Sequence, residues 1–317
     1  MAASLGSCNP VGMLSASEVE SFVADGYVAI RGAVPADVVR ACQRMIWSGL
    51  GPHGVTEDPA TWTEPVVRIA CPEGGPFAEA GTRPALWEAF DQLIGAGRWW
   101  RRPGVGGTIP VRFPSLADPG DAGWHIEASY EREGHQQVHL NSRARGLLVL
   151  YLFSDVDEAS APTRIRPESH LDAARALAPA GDEGLAWTDA AVAAAQASTH
   201  RPTALATGEA GDVFLCHPFL VHAASWPHRG RLPRLMAQPG LALHAQFSLT
   251  PPLSPVEQAI LDGINSRPSE PLEETLDLLS TPGAVHEIRA AEAEIARGEA
   301  IGADELRRLV QRRKLAN

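Results

Sequence analysis

His125 and Glu127, in the run Trp124-His-Ile-Glu127, set an imidazole and a carboxylate two residues apart. In an extended segment, residues two apart face the same side, so both side chains would project together. Such a pair supplies two of the three protein ligands in the two-histidine-one-carboxylate arrangement. A second imidazole from a distant strand completes it. The three ligands then occupy one face of an octahedron and leave three positions open. Iron(II) held this way can take a chelating co-substrate and dioxygen together, which is why three protein ligands suffice. Alone, His-x-Glu is a common surface pair, so the missing ligand must come from downstream. The segment Gly211-Asp-Val-Phe-Leu-Cys-His-Pro-Phe-Leu-Val-His222 offers His217 and His222. Five apart, they would face opposite sides of a regular strand, so only one can reach the metal.

The ordered set His125-x-Glu127, Pro167-Glu-Ser-His170, Gly211-Asp212, His222 and Arg234 resembles the phytanoyl-CoA dioxygenase family of 2-oxoglutarate oxygenases. The opening Asp25-Gly-Tyr-Val-Ala-Ile-Arg-Gly-Ala-Val-Pro35 is similar to that family's as well, and the likeness runs from roughly residue 15 to residue 245. It implies a double-stranded β-helix (a jelly-roll, cupin-like fold), iron(II) as metal and 2-oxoglutarate as co-substrate. It also implies His222 as the second imidazole, with His217 a packed strand residue and His170 structural. Three positions depart from the family pattern. Glu127 stands where Asp is usual, which adds a methylene to the ligand's reach. Ile126 replaces a polar residue, and Glu168 replaces the Gly after Pro167. Retention of a carboxylate ligand argues against a halogenase, which needs that coordination position for halide.

The far end of 2-oxoglutarate requires a cation, and guanidinium matches a carboxylate bidentately. Arg231 and Arg234 are the candidates; Arg234 begins the apolar run Leu235-Met-Ala and is expected to point inward. Arg112 and Thr163 are further candidates for the same ligand. The substrate pocket is expected to draw on Trp124, Ser129, Tyr130, His139, Asn141 and Trp226, a mixed aromatic and polar set. No basic cluster looks built for coenzyme A phosphates. The expected activity is therefore hydroxylation of a C–H bond in a small-molecule metabolite, with desaturation or ring closure as other outcomes of the same start. The alternatives are a non-catalytic metal or metabolite binder of the same fold, which would hold iron without turning over 2-oxoglutarate, and a cupin-like isomerase or hydrolase, which would use the same ligands without needing Arg234.

These residues must be positioned by strands. Beyond Val105 the chain reads as short strands between Pro/Gly turns: 108–113, 123–129, 146–153, 163–166, 212–216, 220–224 and 234–243. The run Gly146-Leu-Leu-Val-Leu-Tyr-Leu-Phe153 is continuously apolar, as for a strand covered on both faces. Ahead of it lie a helix capped by Ser15 or Ser17 and ended by Gly26, a strand from Tyr27 to Arg31, and helices at 36–48 and 84–94. Helical interruptions are expected at 172–177 and 190–197, and charged helices at 287–297 and 303–313. Those last two would pack on the barrel or join subunits in a homo-oligomer. The expected class is mainly β with flanking α, parsed as one oxygenase domain over 1–317. Its parts are N-terminal support (1–104), a jelly-roll core (105–250) and a helical C-terminal extension (251–317).

With 27 Lys and Arg against 38 Asp and Glu, the net charge is -11, which repels phosphate backbones and argues against nucleic-acid partners. The N-terminus lacks a basic, then apolar, leader, and no apolar run is long enough to span a membrane. Cys8, Cys42, Cys71 and Cys216 are far apart and form no Cys-x-x-Cys pair, consistent with reduced thiols and a cytoplasmic protein. The expected partners are a small-molecule substrate and dioxygen.

Overall fold

The computed structural model describes residues 14–266, all of which belong to one compact unit. Cys8 and the expected helices at 287–297 and 303–313, with their subunit contact, lie outside the described residues. Ser15 opens helix α1 (Ala16–Asp25) with a capping box: its hydroxyl accepts the Glu18 N–H while the Glu18 carboxylate accepts the Ser15 N–H. Gly26 ends the helix at φ +84°, a left-handed conformation suited to glycine. Strand β1 (Tyr27–Ile30) and helix α2 (Ala36–Leu50) follow, the latter burying Val38, Val39, Cys42, Ile46 and Leu50 on one stripe. Next come β2 (Val66–Ala70), α3 (Gly75–Gly81), α4 (Pro84–Ile94) and β3 (Thr108–Arg112). The 51–64 stretch carries no clear period, and β2, which follows it, pairs along its full length with β3.

The remaining elements are β4 (Ser129–Arg132), β5 (His135–Val138), β6 (Arg145–Leu152), β7 (Arg164–Ile165), α5 (Ser169–Leu177), β8 (Leu185–Ala186) and α6 (Trp187–Ala197). They continue with β9 (Ala204–Leu205), β10 (Val213–Cys216), β11 (His222–Ala223), β12 (Met236–Ala237), β13 (Gly240–Ala242) and α7 (Pro255–Asn265). A larger antiparallel sheet runs β1-β10-β6-β12, with β13 also on β6, and a smaller one runs β11-β7-β9. Leu148, Leu150 and Leu152 of β6 share a core with Phe214, Cys216, Met236, Ile165 and Leu220, so the two sheets face each other. The alternate residues Leu147, Val149 and Tyr151 join a second, larger core with the N-terminal helices. The apolar run is therefore covered on both faces, and the fold is mainly β with flanking helices.

Several expected strands shorten or break. The segment 123–129 is not a regular strand; it contributes a single bridge, His125 to His222. The run 234–243 splits into β12 and β13 around Pro239, which has no N–H to give a ladder. Glu168 sits at φ +65° just before α5, taking the left-handed turn in which the resembled family has glycine. Its backbone N–H reaches Asp25 O at 2.9 Å and its carboxylate pairs with Arg201, so tertiary contacts hold the strained backbone. Cys42, Cys71 and Cys216 are buried free thiols. Among the described residues no helix is long and apolar enough to cross a membrane.

Candidate metal centre

His125 and His222 meet as a two-residue antiparallel bridge, each N–H donating to the other's carbonyl at 3.0 Å. Directly opposed residues place their side chains on one side, so the imidazole rings lie 4.4 Å apart. The Glu127 N–H donates to Pro218 O at 3.2 Å, anchoring the carboxylate to the same downstream segment. One ligand atom from each of His125, Glu127 and His222 lies within 4.8 Å of the others, and among the described residues they form the one such group of three.

The tautomers suit a metal. Nδ1 of His125 lies 2.9 Å from Gly123 O, and Nδ1 of His222 lies 2.9 Å from Leu220 O. A ring nitrogen facing a carbonyl carries the proton, so each Nε2 keeps its lone pair for a ligand. Burial, reinforced by the neighbouring His125, pushes the His222 imidazole down to about 4. Burial also disfavours an ionised Glu127, but the neighbouring His125, His222 and Arg145 outweigh that and hold the carboxyl below its usual range. For His125, burial is outweighed by Glu127, and the imidazole is raised. The donor set is thus two nitrogens and a carboxylate, a chemistry that fits iron(II).

A second polar cluster lies inside the sandwich. Arg112 and Arg234 pair through their backbones at 3.1 and 2.8 Å, and their side chains are only 3% and 2% exposed. Asp121 takes Arg112 at 2.6 Å and also pairs with Arg68. Arg234 donates from Nη1 to Ala161 O, but among the described residues it has no carboxylate partner. The Nε atoms of both arginines are buried without a hydrogen bond. Burial, with Arg112 beside it, pushes the Arg234 guanidinium down to about 9. Buried unsatisfied donors of positive charge call for an anionic acceptor, and a dicarboxylate end fits. The charge of Asp121 reaches His125 and helps raise it, so this cluster is electrostatically linked to the ligand group. Arg231, by contrast, is exposed.

The other expected site residues are more scattered. The Thr163 hydroxyl is buried and meets Met236 Sδ at 3.8 Å; among the described residues it makes no hydrogen bond to an arginine. The Trp124 ring is flanked by the guanidinium groups of Arg164 at 4.7 Å and Arg166 at 4.2 Å. Ser129 and Tyr130 stand on β4, where the Tyr130 hydroxyl meets Gln137 at 3.2 Å. His139 is buried and accepts the Asn141 N–H at 3.2 Å. Trp226 is 45% exposed, beside a cleft of about 180 Å³ that it lines with Arg112 and His228. Among the described residues, no hydrogen bond or ring contact joins these six pocket candidates to His125, Glu127 or His222. His217 lies apart from the ligand group: its Nε2 meets Val256 O at 3.2 Å and its ring lies 4.9 Å from buried His170.

Three residues at the site escaped sequence reasoning. Arg145 donates to Glu127 Oε2 at 2.9 Å. Asp121 balances Arg112, and the Trp187 indole N–H holds Ile126 O at 3.0 Å with its ring beside His125. The one available signal was an arginine at the threshold of the apolar run 146–153; Asp121 and Trp187 had none.

No known family profile matches the chain, and no curated protein sequence does. Solved structures similar to it include the non-haem α-ketoglutarate-dependent carbocyclase SnoK from nogalamycin biosynthesis, at 18% identity over 75% of this chain and 87% of that one, TM-score 0.47. AviO1 from Streptomyces viridochromogenes Tue57 aligns at 18% identity over 74% of this chain and 98% of its own, TM-score 0.49. HygX from Streptomyces hygroscopicus, solved with nickel and 2-oxoglutarate, aligns at 15% identity over 73% and 87%, TM-score 0.47.

Proposed function

We propose that this chain is a non-haem iron(II) enzyme that uses 2-oxoglutarate to oxidise a C–H bond of a small-molecule metabolite, with hydroxylation as the outcome. The observation that carries this reading is the group of His125, Glu127 and His222, whose ligand atoms lie within 4.8 Å of one another. The buried Arg234, which has no carboxylate partner among the described residues, supports it as well.

In this reading His125 and His222 offer Nε2, and Glu127 offers a carboxylate oxygen, to iron(II). Iron(II) bound there supplies the activation of dioxygen, coupled to decarboxylation of 2-oxoglutarate. The remaining work falls to the protein. Arg234 receives the distal carboxylate of the co-substrate in a buried position, where charge pairing is strong and water is excluded. Asp121 neutralises Arg112, so that the incoming dianion meets one uncompensated cation rather than two. Trp187 fixes the backbone between the two early ligands through Ile126 O and packs its ring edge-on to His125. The carbonyls of Gly123 and Leu220 keep both imidazoles in the ligand tautomer.

Succinate release from 2-oxoglutarate tests the reading. The wild-type chain with iron(II) is expected to release succinate, even uncoupled from a prime substrate. His125→Ala and His222→Ala are expected to abolish release, and Arg234→Ala to raise the 2-oxoglutarate requirement by at least a hundredfold. Full activity in either histidine variant would sink the assignment. A protein that holds iron without releasing succinate would be a binder, and activity indifferent to Arg234→Ala would indicate an isomerase or hydrolase.

A further inference from the structure

Glu127 carries one more rotatable bond than an aspartate ligand, so its carboxylate must be held if it is to present one oxygen to a metal. The structure supplies a holder. Arg145 Nη1 donates to Glu127 Oε2 at 2.9 Å, while Oε1 turns toward His125 Nε2 at 3.7 Å. One carboxylate oxygen is therefore committed to the arginine and the other faces the imidazole.

The base from which Arg145 reaches is itself fixed. It is the first residue of β6, paired with Ala242 across a register shift in β13, and its carbonyl accepts the hydroxyl of fully buried Ser142. Gly240, on β13, makes room for the side chain: a Cβ there would lie 2.7 Å from Arg145 Nη1 and 3.1 Å from Cδ. Arg102 donates to the Gly240 carbonyl from nearby and adds a second positive charge. With like charge beside it, the Arg145 guanidinium is driven toward an anion, and among the described residues Glu127 is its one acidic partner. A charge-assisted bond at this distance is among the stronger side-chain contacts.

We infer that Arg145 is a positioning residue that locks Glu127 into a single-oxygen ligand, so that a glutamate serves where the resembled pattern has aspartate. The inference rests on the metal assignment proposed above. Arg145 touches neither co-substrate nor metal in this role; it acts through Glu127. Groups that orient a ligand typically change metal affinity 10–100-fold when removed.

The test is anaerobic titration with cobalt(II), read by its visible d–d spectrum, with iron(II) affinity obtained by competition. The variants are Arg145→Met, which keeps the aliphatic stem, Arg145→Lys and Glu127→Asp, each checked for native circular dichroism. Arg145→Met is expected to weaken metal binding roughly 10–100-fold and to alter the cobalt spectrum. Arg145→Lys is expected to recover part of the loss. In the Glu127→Asp background the shorter carboxylate no longer reaches the guanidinium, so adding Arg145→Met should change affinity less than about threefold. Wild-type binding with Arg145→Met unchanged, or an equal loss in both backgrounds, would overturn the clamp while leaving the metal site standing. Failure of the wild type to bind metal would overturn both.

Discussion

Replacing Arg234 with methionine should strengthen the protein without co-substrate and disable it with 2-oxoglutarate. The guanidinium is 2% exposed, lies beside Arg112, and has no carboxylate partner among the described residues. It remains protonated at neutral pH, so its downward shift to about 9 measures the cost of burying an unpaired cation. That cost is on the order of a few kcal/mol, since a buried charge is expensive until paired. Methionine removes it while filling most of the volume. The loss to set against this is the Nη1 bond to Ala161 O, about 1 kcal/mol. The net gain is about 1–3 kcal/mol, or roughly 2–4 °C of melting temperature for each kcal/mol. With anaerobic iron(II) present throughout, adding 2-oxoglutarate at a hundred times its Kd should stabilise the wild type by about 2.7 kcal/mol and leave Arg234→Met unmoved. Differential scanning calorimetry of the iron-loaded proteins with and without 2-oxoglutarate reads both effects, and the variant's advantage should shrink by about 2.7 kcal/mol on adding ligand, closing or reversing the gap. A variant less stable than wild type without ligand, yet equally stabilised by it, would refute the reasoning.

Other consequences concern backbone and protonation. Gly26→Ala places a Cβ against His170 Nδ1 and 2.9 Å from Leu220 Cδ1 at φ +84°, so a loss of about 3 kcal/mol or more is expected in urea unfolding, and a neutral result would contradict the packing. At Glu168, φ +65°, glycine relieves the left-handed strain that alanine retains, while both forfeit the Arg201 pair. Glu168→Gly should therefore be about 1 kcal/mol more stable than Glu168→Ala, and an equal or reversed order would refute the strain. His170 and His217 are fully buried and neutral, the first pushed down to about 4 by burial and the second well below its usual value by burial and by His170. Below pH 6.5 the unfolded chain takes up protons that the folded chain refuses, so stability is complete above that pH and falls as pH drops toward 4. The two together predict a loss of about 3 kcal/mol between pH 6.5 and 5 in urea unfolding, and a flat profile would exclude them as the cause.

What the sequence made legible was chemistry that travels with residue type. His125, Glu127 and His222 stand out because their residue types are ones that could hold a metal, and the structure brings the three together although 123–129 is not a strand. The spacing argument works because a single bridge to His222 fixes the local direction as a ladder would. Elements with strong local signals, such as α1 with its Ser15 cap and α4 opening at Pro84, fall where expected. Strand β2 is different, since its five residues are ordered by pairing with β3, which is distant in sequence. Asp121 and Trp187 were hidden too, and even for Arg145, at the threshold of an apolar run, nothing nearby in sequence names its partner: the partners of the three are Arg112, Ile126 and Glu127. Among the described residues, no hydrogen bond or ring contact joins the six pocket candidates to the ligand group, and sequence alone gives no direction for those side chains. Glu168 shows the reverse case, where a residue that breaks the expected turn is accommodated by Asp25 and Arg201.

Anaerobic addition of iron(II) and then 2-oxoglutarate, followed in the visible spectrum, tests the central claim most directly. The account predicts a metal-to-ligand charge-transfer band that requires both additions, saturates at one iron per chain, and is absent in His125→Ala and His222→Ala. No band in the wild type, or an undiminished band in His222→Ala, would contradict it.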